Sequence, residues 1–328
     1  MNGRYFQDRM ATGSLPLLVA VVFATAFWWL LPGLAPDGAD WGSGVAGGWP
    51  SYARRLAAYV LQAGVLCLLA WLTVRHALIR VTATCHLSLY ALLAACLLPH
   101  TLQAGGVVGC CLLAMLLSLF HTYQHVDPVG LVCQGFFFFG LGTLAFPPML
   151  LLLPFLLVMQ AWFHNVTWRT FFAALIGTAL PHWLMLGYAC AVGDMEVFYA
   201  PLRAAVRFLP VSYACLTPVH WANLGVLAAL TLWSCVLYAG SSYADKIRTR
   251  IQLYYVMTVE ALCLLFLLLQ PQHYAALLGA MLPCSSLLAG HYFAVNRDRR
   301  SLVALIVVLV VLSALYVFNL WTQLSNFS

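Results

Sequence analysis

The sequence predicts an all-α, polytopic transmembrane helix bundle of about eleven spans. Three observations lead there. Of 328 residues, 64% are hydrophobic and 7% charged, whereas soluble domains run near a quarter charged, so too few polar side chains exist to coat a water-facing surface. Apolar runs of roughly 20 residues follow one another with short polar breaks, as helices do where the solvent cannot satisfy stray backbone groups. The 15 basic residues, 14 of them arginine, sit in those breaks, where orientation signals belong. A net charge of +6 distributed in this way gives no nucleic-acid surface. The eleven cysteines contain no CxxC pair and fall mostly inside apolar runs, as small buried hydrophobes do.

Taken in order, the expected spans lie near 14–34, 56–74, 81–99, 102–120, 130–146, 148–163, 170–191, 218–239, 251–270, 273–293 and 302–322. The first follows Arg4 and Arg9 and has no small-residue cleavage site before a polar mature domain, so it reads as a retained helix rather than a leader. Pro147 and Pro148 separate two arms too short for an ordinary span. Residues 130–163 therefore form either two spans or a re-entrant hairpin plus a span, which lowers the total to ten.

Arginine and lysine placement sets the orientation. With the N-terminus cytoplasmic, Arg4, Arg9, Arg75, Arg80, Arg169, Lys246, Arg248, Arg250, Arg297, Arg299 and Arg300 fall inside, and only Arg54, Arg55, Arg203 and Arg207 outside. The C-terminus is then external, the chain is one integral-membrane domain over 1–328, and the two long external loops are 35–55 and 191–217. No cytoplasmic loop is long enough to fold by itself, so chemistry is expected at the outer face or within the membrane.

Five features are candidates for function. Asp37 and Asp40 lie in the glycine-rich first external loop, where carboxylates serve as a general base or hold a divalent metal against a pyrophosphate, and where Asp and Gly also make ordinary turns. Arg203 and Arg207, four apart in a short amphipathic segment, join Arg54 and Arg55 as a phosphate clamp or as headgroup-snorkelling side chains. Glu260 falls in the middle of the ninth run; a carboxylate there faces the bundle interior and serves as a proton-relay group, a histidine partner or a helix-to-helix hydrogen bond. His86 is a second intramembrane polar residue. His121 and His125, followed by Asp127, have the spacing that puts two imidazoles on one helical face, a weak metal candidate beside a helix-end capping role. No metal or other cofactor is otherwise indicated.

The stretch 163–183, through Asn165, Trp168, Arg169, Gly177 and Pro181, resembles a segment of an uncharacterised family of multipass inner-membrane proteins from Bacteroidetes-type bacteria. That resemblance implies a bacterial inner-membrane location and brings no activity. The helix order, with Asp37 and Asp40 directly after the first helix, also resembles polyprenyl-linked glycosyltransferases and glycan polymerases. It implies transfer or polymerisation of a polyprenyl-phosphate-linked glycan at the outer face. Two alternatives stand beside that enzyme: a non-catalytic subunit docking a membrane protein partner in an envelope assembly, and a lipid or solute transporter with Glu260 and interior histidines on a polar path. Membrane lipid is a partner in all three.

Overall fold

A computed structural model describes residues 12–30, 49–79, 83–206, 210–296 and 298–327. These form twelve α-helices and no strand among the described residues. They are α1 (Ser14–Leu30), α2 (Ser51–His76), α3 (Cys85–Leu97), α4 (Ala104–His121), α5 (Val129–Ala145), α6 (Leu153–Met159), α7 (Trp168–Val192), α8 (Glu196–Val206), α9 (Pro218–Ser241), α10 (Ile247–Leu269), α11 (Tyr274–Val295) and α12 (Arg299–Phe327). Short 3-10 turns flank α6 at Pro147–Leu152 and Gln160–Phe163.

Seven helices are long and apolar enough to cross a membrane: α2, α4, α7, α9, α10, α11 with its leading turn, and α12. Four other apolar helices, Ser14–Leu30, Cys85–Leu97, Val129–Ala145 and Pro147–Phe163, are shorter. The chain is a membrane-embedded helical protein, with its polarity turned inside out relative to a soluble one. Leu15, Leu18, Val19 and Val22 on α1, and Val303, Ile306, Val307 and Val310 on α12, form exposed apolar stripes, while Asn223, Thr231, Gln252, Glu260, Ser285 and Asn319 are buried.

Several local expectations change. α2 starts at Ser51 behind Pro50, the N-cap, so Arg54 and Arg55 stand in a helix's first turns rather than in a loop reaching residue 55. The second loop holds α8, which ends at Val206. The span expected over 81–99 is a helix of 13 residues. The break at Pro147 occurs as expected, with α5 ending at Ala145. Pro181 lies inside α7, which runs on through it.

The chain divides into two compact units, residues 1–106 with 211–328, and residues 107–210. In the first, α11 is the core: of its 22 residues, Tyr274 and every one from Leu277 to Ala294 are buried. It packs on α3, α9, α10, α12 and α2. Small residues permit this. A Cβ added to Gly279 would strike the backbone of Gly105, and one added to Gly290 would strike that of His86, so both glycines stand where chains meet without a side chain between them.

In the second unit α5 and α7 form the main pair, again through glycine: a Cβ on Gly177 would meet the Cys133 carbonyl, and one on Gly140 the Thr178 carbonyl at 2.5 Å. The residues before α7 make its cap. Thr167 accepts from the Thr170 amide at 3.2 Å and the Thr170 hydroxyl accepts from the Thr167 amide at 2.8 Å, a reciprocal box that satisfies two otherwise orphaned donors. The Asn165 amide donates to the Thr122 hydroxyl at 2.7 Å, tying the cap to the end of α4. Because overpacking a close contact costs about 1–3 kcal/mol, Gly177→Val is expected to lower the melting temperature in detergent, while Gly187→Val, on the same helix with open space around it, leaves it unchanged. Equal melting of the two variants would refute this account of the α5–α7 contact.

Candidate functional site

The first unit holds a buried polar stripe along α9. Asn223, Thr231, Ser234, Tyr238 and, just past the helix end, Ser242 are all at most 6% exposed. Their spacings of eight, three, four and four residues keep them on one helical face. Leu227, fully buried, occupies the turn between Asn223 and Thr231. This face looks into the core because α11 and α10 pack against α9.

At the level of Thr231 the stripe meets Glu260 of α10 and Ser285 of α11. The Glu260 Oε1 accepts from the Ser285 hydroxyl at 2.5 Å and from the Thr231 hydroxyl at 3.1 Å, and the two hydroxyls lie 2.9 Å apart. Glu260 is 0% exposed, and its Oε2 has no hydrogen-bond partner among the described residues. A buried polar oxygen left without a partner is costly, and an ionisable one inside a membrane bundle is a candidate for handling a proton, ion or ligand.

Toward the start of α10 lies a second buried cluster. His291 Nε2 and Asp245 Oδ2 are 3.0 Å apart, each side chain 3% exposed. The Tyr238 ring stands edge-on to His291 at 5.3 Å, and the Ser242 and Tyr254 hydroxyls are 2.9 Å apart. Gly290 seats α11 on the backbone of His86, whose Nε2 lies 3.1 Å from the Thr73 hydroxyl. His86 Nδ1 and His291 Nδ1 are both buried without a partner among the described residues. Arg248 donates to His76 Nδ1 at 3.4 Å at the rim. Between this cluster and Glu260 lies Ser234, whose hydroxyl is likewise buried and without a partner among the described residues.

At the opposite end the groups are neutral amides and phenols. The Asn319 amide donates to the Cys96 carbonyl at 3.0 Å and to Asn223 Oδ1 at 3.2 Å, and the Tyr316 hydroxyl donates to the Leu92 carbonyl at 2.6 Å. In the turn between α3 and α4, His100 packs on Trp28 at 4.2 Å between ring centroids and donates through Nε2 to the Ala95 carbonyl at 3.0 Å. Burial pushes its pKa down to about 4, opposed by the Ala95 bond and assisted by the nearby Arg55 charge.

The residues singled out in the sequence fare differently. Asp37, Asp40 and Arg207 lie outside the described residues. Arg55 donates to the Trp28 carbonyl and lies 5.7 Å from the Trp29 ring centroid; Arg54 is its neighbour in α2. Arg203, in the other unit, pairs with Glu196, both side chains two-thirds exposed. The shared helical face expected of His121 and His125 does not form, because α4 ends at His121 and Gln124 turns the chain with a φ of 55°. His121 Nδ1 bonds the Leu117 carbonyl at 2.8 Å, while His125 Nδ1 accepts from the Asp127 amide at 3.3 Å. No group of three His, Cys, Asp or Glu is placed to hold a metal among the described residues. Glu260 is buried, as expected, but its partners are hydroxyls rather than a histidine. Asp245, Thr231, Ser234 and Ser285 were missed; the polar residues recurring every three or four positions along 231–242 are a faint signal for Thr231 and Ser234, and none marks Asp245 or Ser285.

No family model, curated protein or solved structure matches the chain.

His100 allows a test of this packing by pH. A histidine whose folded pKa lies below its unfolded value of about 6.5 is more protonated when unfolded, so its stabilisation is present above that value and lost as pH falls toward the folded one. His100→Gln is expected to lose less thermal stability than wild type between pH 7.5 and pH 5 in detergent. A variant whose melting temperature drops as steeply as wild type would show that His100 is not buried as a neutral ring.

Proposed function

We propose that this chain is a proton-linked transporter of the bacterial inner membrane, in which Glu260 takes up and releases the proton. The observation that carries this reading is the fully buried Glu260 carboxyl, with one oxygen held by Thr231 and Ser285 and the other without a partner among the described residues. A group that binds a proton reversibly within a bilayer needs an acid the protein keeps from lipid, and neighbours that hold its orientation in both charge states. Thr231 and Ser285 supply the second: each hydroxyl can turn to donate to a carboxylate or to accept from a carboxylic acid.

The route is one-sided. From Asp245 and His291 the stripe passes Tyr238 and Ser234 to Glu260, and Leu227 then seals it before Asn223. Asp245–His291 forms the entrance, an acid and a base able to exchange a proton with each other and with the rim. Glu260 is the fourteenth of the 23 residues of α10, about 20 Å along the helix from its first residue, and so lies well inside a core of about 30 Å. Transport requires Leu227 to move aside and expose Glu260 to the far end, where the neutral amides of Asn223 and Asn319 stand.

The proposal includes eleven crossings with the N-terminus cytoplasmic and the C-terminus external, which places the Asp245–His291 entrance on the cytoplasmic side. Two things support it: each of the eleven apolar runs corresponds to a helical segment, and the eleven-to-four arginine and lysine bias follows their alternation. Outer-face transfer of a polyprenyl-linked glycan rests instead on Asp37 and Asp40, which lie outside the described residues.

The test is proton flux into vesicles reconstituted with purified protein and loaded with a pH-sensitive dye, after an external pH step. Glu260→Gln keeps the size and the Oε1 acceptor and removes the titrating group, so flux is expected to fall about a hundredfold or more, the lower end of what positioned proton-transfer side chains contribute, with little change in melting temperature. Equal flux through the wild type and Glu260→Gln would end the relay proposal.

A further inference from the structure

The outer side of α9 faces a groove with the chemistry of a lipid site. Between α9 and α12 runs an open cavity of about 750 Å³. Its walls are Gly225, Ala229 and Trp233 on α9 and Val303, Val307 and Leu312 on α12, with no carboxylate among the lining residues. The glycine and alanine leave the space, while the valines make one apolar wall. At one end stand Arg299 and Arg300, both exposed and without an ion-pair partner among the described residues. The neighbouring carboxylate is Asp298, also exposed.

We propose that this groove binds an anionic phospholipid, its hydrocarbon chain lying along α12 and its phosphate held by Arg299 and Arg300. The charges choose the headgroup: two adjacent guanidinium groups match a phosphate's oxygens, and zwitterionic or neutral headgroups present no net charge to them. The length chooses the chain. From Arg299 to Leu312 the groove runs about 20 Å, at least the depth of one leaflet's share of a hydrocarbon core of about 30 Å. A free phosphate would use the arginines and leave the apolar walls idle. An uncharged lipid would do the reverse.

The site goes beyond the proton relay and deepens it, since α9 carries both. Gly225, Ala229 and Trp233 line the groove, while Thr231 donates to Glu260 and Ser234 is buried on the same side of the helix. A lipid chain entering or leaving the groove presses on the helix whose opposite face holds the carboxyl. As part of the transporter reading, this makes an anionic phospholipid the substrate class. Binding itself does not depend on that reading.

The experiment is native mass spectrometry of the full chain released from detergent containing equal phosphatidylglycerol and phosphatidylcholine, with and without millimolar inorganic phosphate. Wild type is expected to retain one phosphatidylglycerol in preference to phosphatidylcholine. Arg299→Gln with Arg300→Gln should cut that preference about tenfold, the loss expected when charged hydrogen bonds are removed. Ala229→Phe, which fills the groove, should lower retention of both lipids. The substituted residues are all exposed, so melting temperatures should stay near wild type. Equal retention of the two lipids by wild type, an unchanged preference in the double arginine variant, or complete displacement by inorganic phosphate would each overturn the proposal. Wild type and Glu260→Gln measured together separate the two readings: equal flux in both with selective lipid retention removes the relay and leaves the groove, whereas flux lost in Glu260→Gln with no selective retention by wild type removes the groove and leaves the relay.

Discussion

The first unit is organised by the absence of side chains at two points on α11. At Gly279 and Gly290 the helix backbone approaches the backbones of Gly105 and His86 more closely than any residue with a Cβ allows. Lipid tails are as apolar as leucine, so helices within a bilayer gain little by hiding apolar surface from it; close packing and hydrogen bonds hold them together instead. A central helix buried along nearly all its length is the outcome, and it lets α9 and α10 bring Thr231 and Glu260 to Ser285. Without that approach the carboxyl would stand among neighbours too distant to bond it.

Such packing has an electrostatic consequence. Each polar group drawn inward must find a partner or remain costly by a few kcal/mol. Most find one: Asn319 with Cys96 and Asn223, Tyr316 with Leu92, Asp245 with His291. The atoms without one among the described residues include Glu260 Oε2, Ser234 Oγ, His86 Nδ1 and His291 Nδ1, on or beside the route to Glu260, and others away from it, among them His100 Nδ1, the Gln160 amide and Asn165 Oδ1.

How much of this was legible follows from range. Helix existence and rough limits come from local composition, and every long apolar run became a helical segment. The shortness of α3 and the early start of α2 depend on Pro50 and on turns at either end, which a hydropathy window averages away. His121 and His125 illustrate the same limit: their spacing has meaning only if the helix continues, and it stops at His121. Glu260 was conspicuous because a charge in an apolar run is expensive. Thr231, Ser234 and Ser285 were not, because a hydroxyl barely changes local hydropathy and its value lies in what it meets across the bundle. Asp245 and His291 are 46 residues apart, and nothing local announces the pair. In the segment 163–183, Asn165 is a tie between the α7 cap and α4, and Gly177 a point of backbone contact.

The two units also differ in what their interiors can do. In residues 107–210 the buried polar side chains include Thr122, Asn165 and Thr170, neutral groups whose bonds tie a helix end to its neighbour, and the acids Asp127, Asp194 and Glu196 are all exposed. Glycine-to-carbonyl contact between α5 and α7 fixes that pair closely, and nothing acidic lies inside it. The other unit buries a carboxylate in mid-helix and an acid–histidine pair near an end, on helices joined by hydroxyls that can reverse their hydrogen bonds. An intramembrane carboxyl has to change charge without unfolding its surroundings. Thr231 and Ser285 serve that need as no guanidinium could, because a hydroxyl changes from donor to acceptor by turning its hydrogen about one bond. Function is thus expected where the polar core is titratable and its partners rotate, around Glu260, and not where the packing is tightest.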